Sequence, residues 1–412
     1  MDYMALKAQN KALNSEEILA HKVRLRSKPV IFSFAISGPC NLKCTHCGYR
    51  VFGRTSEQQV SEEVYSQVVT ELMPTAYRCH LGGSNWGEMT IAKNFHRFLL
   101  DAKKFGVGIN LTTNGTRMVD EWFPDLLDTL CVIGFSMEGM DDEFEKVRGF
   151  KWRHFLKNVE KVCQGRADHG KKFRVEWRYC AHAGSIHQLP SMIRLAKSIG
   201  VHRIQVMNLV PFVASQKYNA LFYHRSLANH WFAEGRKVAA DLNVEVNVPP
   251  DFETGEFGKL TRFQGAKDSR STGVPENGRV PSERDDGLPL VSCYRPWQAC
   301  VINEMGIVRP SDIYWRSIGN LRLSSFESVW NGRKYRRLRA RINNTPDSIC
   351  RACRLPQFDN EENTASMQIV PSAKQLMIGS AKSLLKKKPK PAFEGVMDKE
   401  FDPNDSKLTF PS

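Results

Sequence analysis

At 412 residues, with 41% apolar and 25% charged residues, the chain is too long for one ordinary domain and too polar for a membrane protein. No apolar run approaches the roughly 20 residues that span a bilayer, and the N-terminal stretch lacks the apolar core and small-residue cleavage site of a secretory signal, so the expected compartment is the cytoplasm. A formal charge of +15 suits an acidic small molecule, an acidic peptide or nucleic acid, or else marks a solvated basic surface.

After an N-terminal extension, residues 1–28, short β-branched or aromatic runs alternate with longer amphipathic ones. Strands are expected within 29–37, 77–83, 106–115, 130–139, 172–180 and 202–212. Helices are expected within 61–73, 91–105, 120–130, 152–164 and 189–200, where apolar residues recur every three or four positions. This βα repetition implies a parallel sheet of about six strands with right-handed crossovers, as a full or a partial barrel. A helix near 224–242 and the strand-like run NVEVNV end the unit, which spans 29–249. Residues 250–292, rich in Gly, Pro, Ser and charge, read as a linker or mobile loop. A second cysteine-bearing domain follows at 293–360, then a basic, flexible tail at 361–412.

Eleven cysteines are an odd number, and seven lie in tight groups, which points to metal or redox chemistry in a reducing compartment rather than to a disulfide framework. The group CNLKCTHC places Cys40, Cys44 and Cys47 on the loop after the first strand. Three thiolates on a 4Fe–4S cluster leave one iron without a protein ligand, open to the amino and carboxylate groups of S-adenosylmethionine. Structural zinc is the competing reading and wants a fourth ligand nearby, for which His46 is placed. The isolated Cys79, Cys131, Cys163 and Cys180 fall in strand or helix patterns and read as core.

The C-x3-C-x2-C spacing and the motifs after it resemble the radical S-adenosylmethionine (radical SAM) superfamily over most of residues 29–353. In LGGSNWGEMT either Gly82-Gly83 or Trp86-Gly87-Glu88 matches the loop that receives the methionyl amino group, and Glu88 is preferred as the acid. The resemblance assigns Thr113 and Asn114 to the ribose, Ser136 and Glu138 to a Ser-x-Asp-Gly segment, and Arg178 to the cofactor carboxylate. His46 stands where the family carries an aromatic residue, and Met89 where it carries proline.

CYRPWQACVINEMGIVRPSD, GNL, ESVWNGRKYRRLRARI and CRAC then resemble the auxiliary-cluster extensions called SPASM and twitch domains. Ser311 and Asp312 occupy the place of a family cysteine. The expected thiolates of a second 4Fe–4S cluster are Cys293, Cys350 and Cys353. Cys300 either completes that set or is a small buried side chain, and zinc held by four thiolates competes for the region.

The resemblance implies a partial (β/α)6 barrel with a small auxiliary-cluster domain. It implies reductive cleavage of S-adenosylmethionine to a 5′-deoxyadenosyl radical, fed by an external reductant such as flavodoxin or ferredoxin. The substrate is expected to be a polar small molecule: a sugar, an aminocyclitol or a phosphorylated metabolite. The alternatives are a peptide maturase and a non-catalytic iron–sulfur or zinc protein that binds nucleic acid.

Overall fold

A computed structural model of the chain describes residues 1–48, 58–82, 87–211, 214–252, 293–312 and 314–352. The expected linker beyond residue 252, the basic tail, Gly83, Trp86 and Cys353 lie outside the described residues.

One ten-stranded sheet organises the fold. Its first seven strands are β1 (Ile31–Phe34), β2 (Arg78–Leu81), β3 (Gly108–Thr113), β4 (Leu130–Met137), β5 (Arg174–Ala181), β6 (Arg203–Asn208) and β7 (Glu245–Asn247). They lie in chain order and pair parallel throughout. The six strands expected between 29 and 212 and the run at 243–248 are all present. Their order is linear, so the barrel is partial rather than closed.

The cysteine-rich region extends this same sheet. β8 (Ala299–Ile302) pairs parallel with β1 on the side away from β2, and β9 (Ile307–Arg309) and β10 (Gly319–Asn320) follow antiparallel. Nothing local in the sequence announces the β1–β8 pairing, because the two strands are separated by most of the chain.

Alternation along the strands gives the sheet two unlike faces. Phe32, Phe34, Leu81, Ile109, Leu111, Ile133, Phe135, Val175, Trp177 and Ile204 are fully buried on one of them. Helices cover that face: α1 (Tyr3–Leu19), α2 (Glu62–Glu71), α3 (Phe95–Phe105), α4 (Phe123–Thr129), α5 (Asp141–Arg148), α6 (Trp152–His169), α7 (Leu189–Ile199) and α8 (Arg225–Leu242). The 3.6-residue period of α3 presents Phe95, Phe98, Leu99 and Ala102 to the sheet, and the Phe34 and Phe98 rings lie 6.0 Å apart. The opposite, inner face carries polar residues in register: Ser33 beside His80, His80 beside Asn110, and Ser136 beside Arg178.

The N-terminal segment is a belt between the barrel and the region after residue 293. Asp2 caps α1 through the amides of Met4 and Ala5. One face of α1 buries Lys7, Asn10, Asn14 and Glu17, each matched to a backbone or side-chain partner. Asn14 Nδ2 donates to Ser27 Oγ at 2.9 Å and to the Trp297 carbonyl at 2.8 Å. Trp297 Nε1 donates to the Lys22 carbonyl, and Trp330 Nε1 to that of Ser27. The C-terminal helices α9 (Phe326–Trp330) and α10 (Arg333–Arg341) complete the clasp. Arg339, within the basic run RKYRRLRAR, is only 3% exposed. Its guanidinium lies 4.3 Å from the Trp330 ring centre and donates to the carbonyls of Pro296, Val23 and Trp330.

Asn14→Ala strands the buried Trp297 carbonyl, so it is expected to cost about 1–3 kcal/mol. Urea denaturation of the variant against the parent chain measures this, and an unchanged midpoint would remove the belt from the account.

Candidate active site

The C-terminal ends of the parallel strands converge on the loop that follows β1. That loop has little regular structure, so its neighbours determine its shape. Gly38 N donates to the Gln58 carbonyl at 3.0 Å, and Glu88 N donates to that of Pro39 at 2.9 Å. A Cβ at Gly87 would overlap the Ser37 carbonyl oxygen, so only glycine lets the loop after β2 lie against the exit of β1.

The side chains read from sequence as cofactor contacts fall into two groups. Glu88 is 3% exposed. Its Oε1 accepts from Thr90 N (3.0 Å), Thr90 Oγ1 (2.7 Å) and Thr113 Oγ1 (2.8 Å), and its Oε2 from Asn114 N (2.7 Å). Asn114 in turn donates to Asn41 Oδ1 at 2.9 Å and reaches Cys40 Sγ at 3.7 Å, while its Oδ1 accepts from Thr116. Glu88, Thr113 and Asn114 therefore brace the cysteine loop through protein partners, a role that motif matching did not anticipate. Ser136 and Arg178 form the second group, on the inner face of β4 and β5, where Arg178 Nη1 donates to Thr112 Oγ1 and Nη2 lies 3.7 Å from Glu176.

A buried ion pair braces the other side of the loop. Glu138 and Arg148, 8% and 5% exposed, meet in a two-point contact of 2.5 and 2.9 Å. Thr45 N donates to the Val147 carbonyl at 2.9 Å, and Gln216 Nε2 to that of Thr45 at 3.0 Å. His46 meets His182 edge to face at 4.9 Å. Both rings are held toward the neutral form by burial, His182 down to about 3.

Cys40, Cys44 and Cys47 are half-buried and in no disulfide. Burial pushes the Cys44 thiol up to about 12; Arg148 opposes this, and Cys40 and Cys47 lie near enough to add to it. Three crowded thiolates are thus unfavourable unless a cationic group joins them.

In the second cysteine region, Cys293 N donates to Asn343 Oδ1 at 2.8 Å, and Cys350 N to Asp347 Oδ1 at 2.9 Å. Ser311 is 9% exposed, and its Oγ accepts from Tyr314 N at 3.3 Å. Cys300 is fully buried on β8 in register with Phe32, its thiol pushed up by burial. Its electrostatic neighbours include Cys79 and Tyr335. The structure places it in the core.

The radical SAM superfamily model matches residues 35–169, and the SPASM iron–sulfur cluster-binding domain matches residues 293–354. The chain is a radical SAM enzyme with a SPASM domain. It is 25% identical over 330 residues to the tungsten-containing aldehyde ferredoxin oxidoreductase cofactor-modifying protein of Pyrococcus furiosus, covering 78% of this chain and 86% of that one. It is 23% identical over 317 residues to the antilisterial bacteriocin subtilosin biosynthesis protein AlbA of Bacillus subtilis, covering 74% and 60%. The fold is similar to that of Streptococcus suis SuiB, with a TM-score of 0.54 at 15% identity over 81% of this chain and 72% of that one. Native anSMEcpe with bound AdoMet gives 0.52 at 17% identity over 86% and 98%.

A radical SAM enzyme of this kind uses a 4Fe–4S cluster with S-adenosylmethionine, and its SPASM domain binds auxiliary iron–sulfur clusters. The donor set fits. Soft thiolates suit iron–sulfur chemistry, and the electropositive core of a cluster offsets what burial costs three neighbouring thiolates.

Arg148→Met leaves Glu138 buried without its partner and is expected to destabilise the fold by about 3–5 kcal/mol, whereas adding Glu138→Gln should recover part of that loss. Chemical denaturation of the single and double variants measures the difference. Acid sensitivity follows from the buried histidines. The folded-state values of about 3 for His182 and about 4 for His80 lie below the ~6.5 of an unfolded imidazole, so the unfolded chain takes up protons first. Their contribution to stability is complete above that range and declines as pH falls toward 4. The urea midpoint should drop between pH 7 and pH 5, and His80→Gln should flatten that drop.

Proposed function

We propose that Cys40, Cys44 and Cys47 hold the radical-generating cluster and that the enzyme abstracts a hydrogen atom from a polar small molecule bound against the inner face of the barrel. The observation that carries this is the pairing of a braced three-thiol loop at the strand ends with a sheet face lined by Ser33, His80, Asn110, Ser136 and Arg178. When bound, the cluster supplies the electron that splits S-adenosylmethionine, and the 5′-deoxyadenosyl radical so formed removes the hydrogen atom.

The chain's own residues position these partners. Asn114 offers Cys40 Sγ a donor, which favours the thiolate, and Arg148 sets a positive charge near Cys44 that its partner Glu138 partly offsets. Among the described residues Oε2 of Glu88 accepts one hydrogen bond, from Asn114 N, which leaves a lone pair for a ligand ammonium. Ser136 and Arg178 supply a hydroxyl and a guanidinium to the cofactor or the substrate. For the auxiliary cluster we assign Cys293, Cys350 and Cys353 without Cys300, since that thiol is fully buried in the core near Cys79 and Tyr335. Ser311 and Asp312 then stand where relatives place a further thiolate. The reductant is a small redox protein such as flavodoxin or ferredoxin, in a reducing cytoplasm.

A small molecule agrees with the cofactor-modifying relative of Pyrococcus furiosus. A peptide substrate is the second reading, favoured by a relative that serves bacteriocin biosynthesis and by fold neighbours seen with precursor peptide SuiA and with Cp18Cys peptide. Among the described residues no helix is long and apolar enough to cross a membrane.

Anaerobic reconstitution with iron and sulfide should yield about eight irons per chain, and Cys44→Ala should remove about four of them. The reduced wild-type enzyme should convert S-adenosylmethionine to 5′-deoxyadenosine. Zinc in place of iron, or no cleavage after full reconstitution, would refute the assignment. Transfer of deuterium from a labelled small molecule or a labelled peptide into 5′-deoxyadenosine decides between the two substrate classes.

A further inference from the structure

A cavity of about 430 Å3 opens beside the cysteine loop. Thr116 and Met118, from the loop after β3, line it together with Phe150 and with Lys157, Asn158 and Lys161 of α6. Its walls are tied in place. Asn158 Nδ2 donates to the Gly115 carbonyl at 2.8 Å and Lys161 Nζ to that of Met118 at 2.7 Å. Asn41 Nδ2, from the cysteine loop, donates to Thr116 Oγ1 at 2.9 Å.

One wall leads to the cysteines. Thr116 Oγ1 donates to Asn114 Oδ1 at 2.7 Å, and Asn114 Nδ2 reaches Cys40 Sγ at 3.7 Å. Two contacts through a single amide thus join the cavity wall to a sulfur assigned to the radical-generating cluster.

The rim is cationic. Segments 40–47, 115–121 and 150–161 carry Lys43, Arg117, Lys151, Arg153, Lys157 and Lys161, against Asp120, Glu121 and Glu160. Most of the acids are already engaged: Asp120 with Lys161, and Glu121 with His96 at 3.7 Å. Lys151 holds Glu145 of α5, which Arg153 also faces at longer range. Arg117, Arg153 and Lys157 are exposed and have no ion pair among the described residues, and Glu160 is the one carboxylate of these segments in the same position. Free positive charge around a mouth floored by Met118 and Phe150 suits a partner that brings carboxylates and a small apolar contact.

We propose that this cavity and its rim are the docking surface for the electron donor, a small acidic redox protein whose carboxylates meet Arg117, Arg153 and Lys157. The surface rests on the assignment of Cys40, Cys44 and Cys47 made above. Each encounter moves one electron: the carrier is oxidised by one, and S-adenosylmethionine is reduced by one as its C5′–S bond breaks to methionine and the 5′-deoxyadenosyl radical. A weak complex with a small interface suits a carrier that must leave again, and opposite charges speed its arrival. The other basic surface, the exposed face of α10, packs on β9 through Tyr335 Oη and the Arg309 carbonyl and serves as the control.

The test compares two reductants on the reconstituted full chain: reduced flavodoxin, an acidic protein, and reduced methyl viologen, a small cation. The readouts are stopped-flow bleaching of the cluster absorbance, calorimetric binding of flavodoxin, and 5′-deoxyadenosine formed. Arg117→Glu with Lys157→Glu is expected to slow bleaching by flavodoxin about tenfold or more and to weaken its binding, without slowing bleaching by methyl viologen. Lys157→Arg should keep the wild-type rate, as should Arg336→Glu with Arg337→Glu on α10. High salt should bring the wild type toward the Arg117/Lys157 variant. An unchanged flavodoxin rate in that variant, equal loss in the α10 variant, equal loss under methyl viologen, or no reduction of the wild type by flavodoxin overturns the docking surface. Wild type under methyl viologen is scored separately. Bleaching with cleavage there, beside any of those failures, overturns the docking surface alone, and neither bleaching nor cleavage overturns the cluster assignment beneath it.

Discussion

One buried carboxylate fixes the geometry at the strand ends. Glu88 gathers four donors from three stretches of chain: the turn after β2, the last residue of β3 and the amide that begins the next loop. A carboxylate removed from water is tolerable only when hydrogen bonds replace its hydration, and here they also stitch the loops together. Through Asn114 the same network reaches Asn41 and the sulfur of Cys40. The cysteine loop is therefore held from one side by an acid and from the other by the Glu138–Arg148 pair. Neither support depends on the loop's own conformational preference.

The sheet separates two requirements that conflict in one layer. Its outer face buries Phe, Leu, Ile, Val and Trp against helices and supplies the hydrophobic stabilisation. Its inner face keeps Ser, His, Asn and Arg, which contribute little to stability and leave some buried polar atoms without a partner among the described residues. A face with so many unmet demands for hydrogen bonding is costly in a protein that binds nothing there. A substrate bound there, as proposed, offsets that cost.

Much of this was legible from sequence because it is local. The short apolar runs VIFSF and VIGFSM and the period near 3.6 in FHRFLLDAKKF locate β1, β4 and α3 to within about four residues at each end. The C-x3-C-x2-C spacing singles out the cysteine loop after β1. What was not legible is long-range. Glu88, Thr113 and Asn114 are read by motif as cofactor contacts, and the structure adds that their side chains brace the cysteine loop, which a motif, recording positions alone, does not reveal. Sequence leaves Cys300 open between a ligand and a small buried side chain, and it lies in the core, because one residue of strand register decides between the two faces. The belt made by Asn14, Trp297 and Trp330 joins distant segments and has no local signature. Nor does the row from Ser33 through His80 to Asn110, which exists only once three strands are in register.

The seating of β8 against β1 carries a consequence for how the molecule is made. Until β8 is synthesised, the first strand of the barrel presents an unsatisfied row of amides and carbonyls, and the buried polar face of α1 lacks Trp297. A nascent chain emerges in sequence order, so the earliest segment waits longest for its neighbours. Exposed strand edges of this kind invite pairing with other chains. Biogenesis of the enzyme thus has a late commitment point, reached only when the C-terminal region closes onto the N-terminal one.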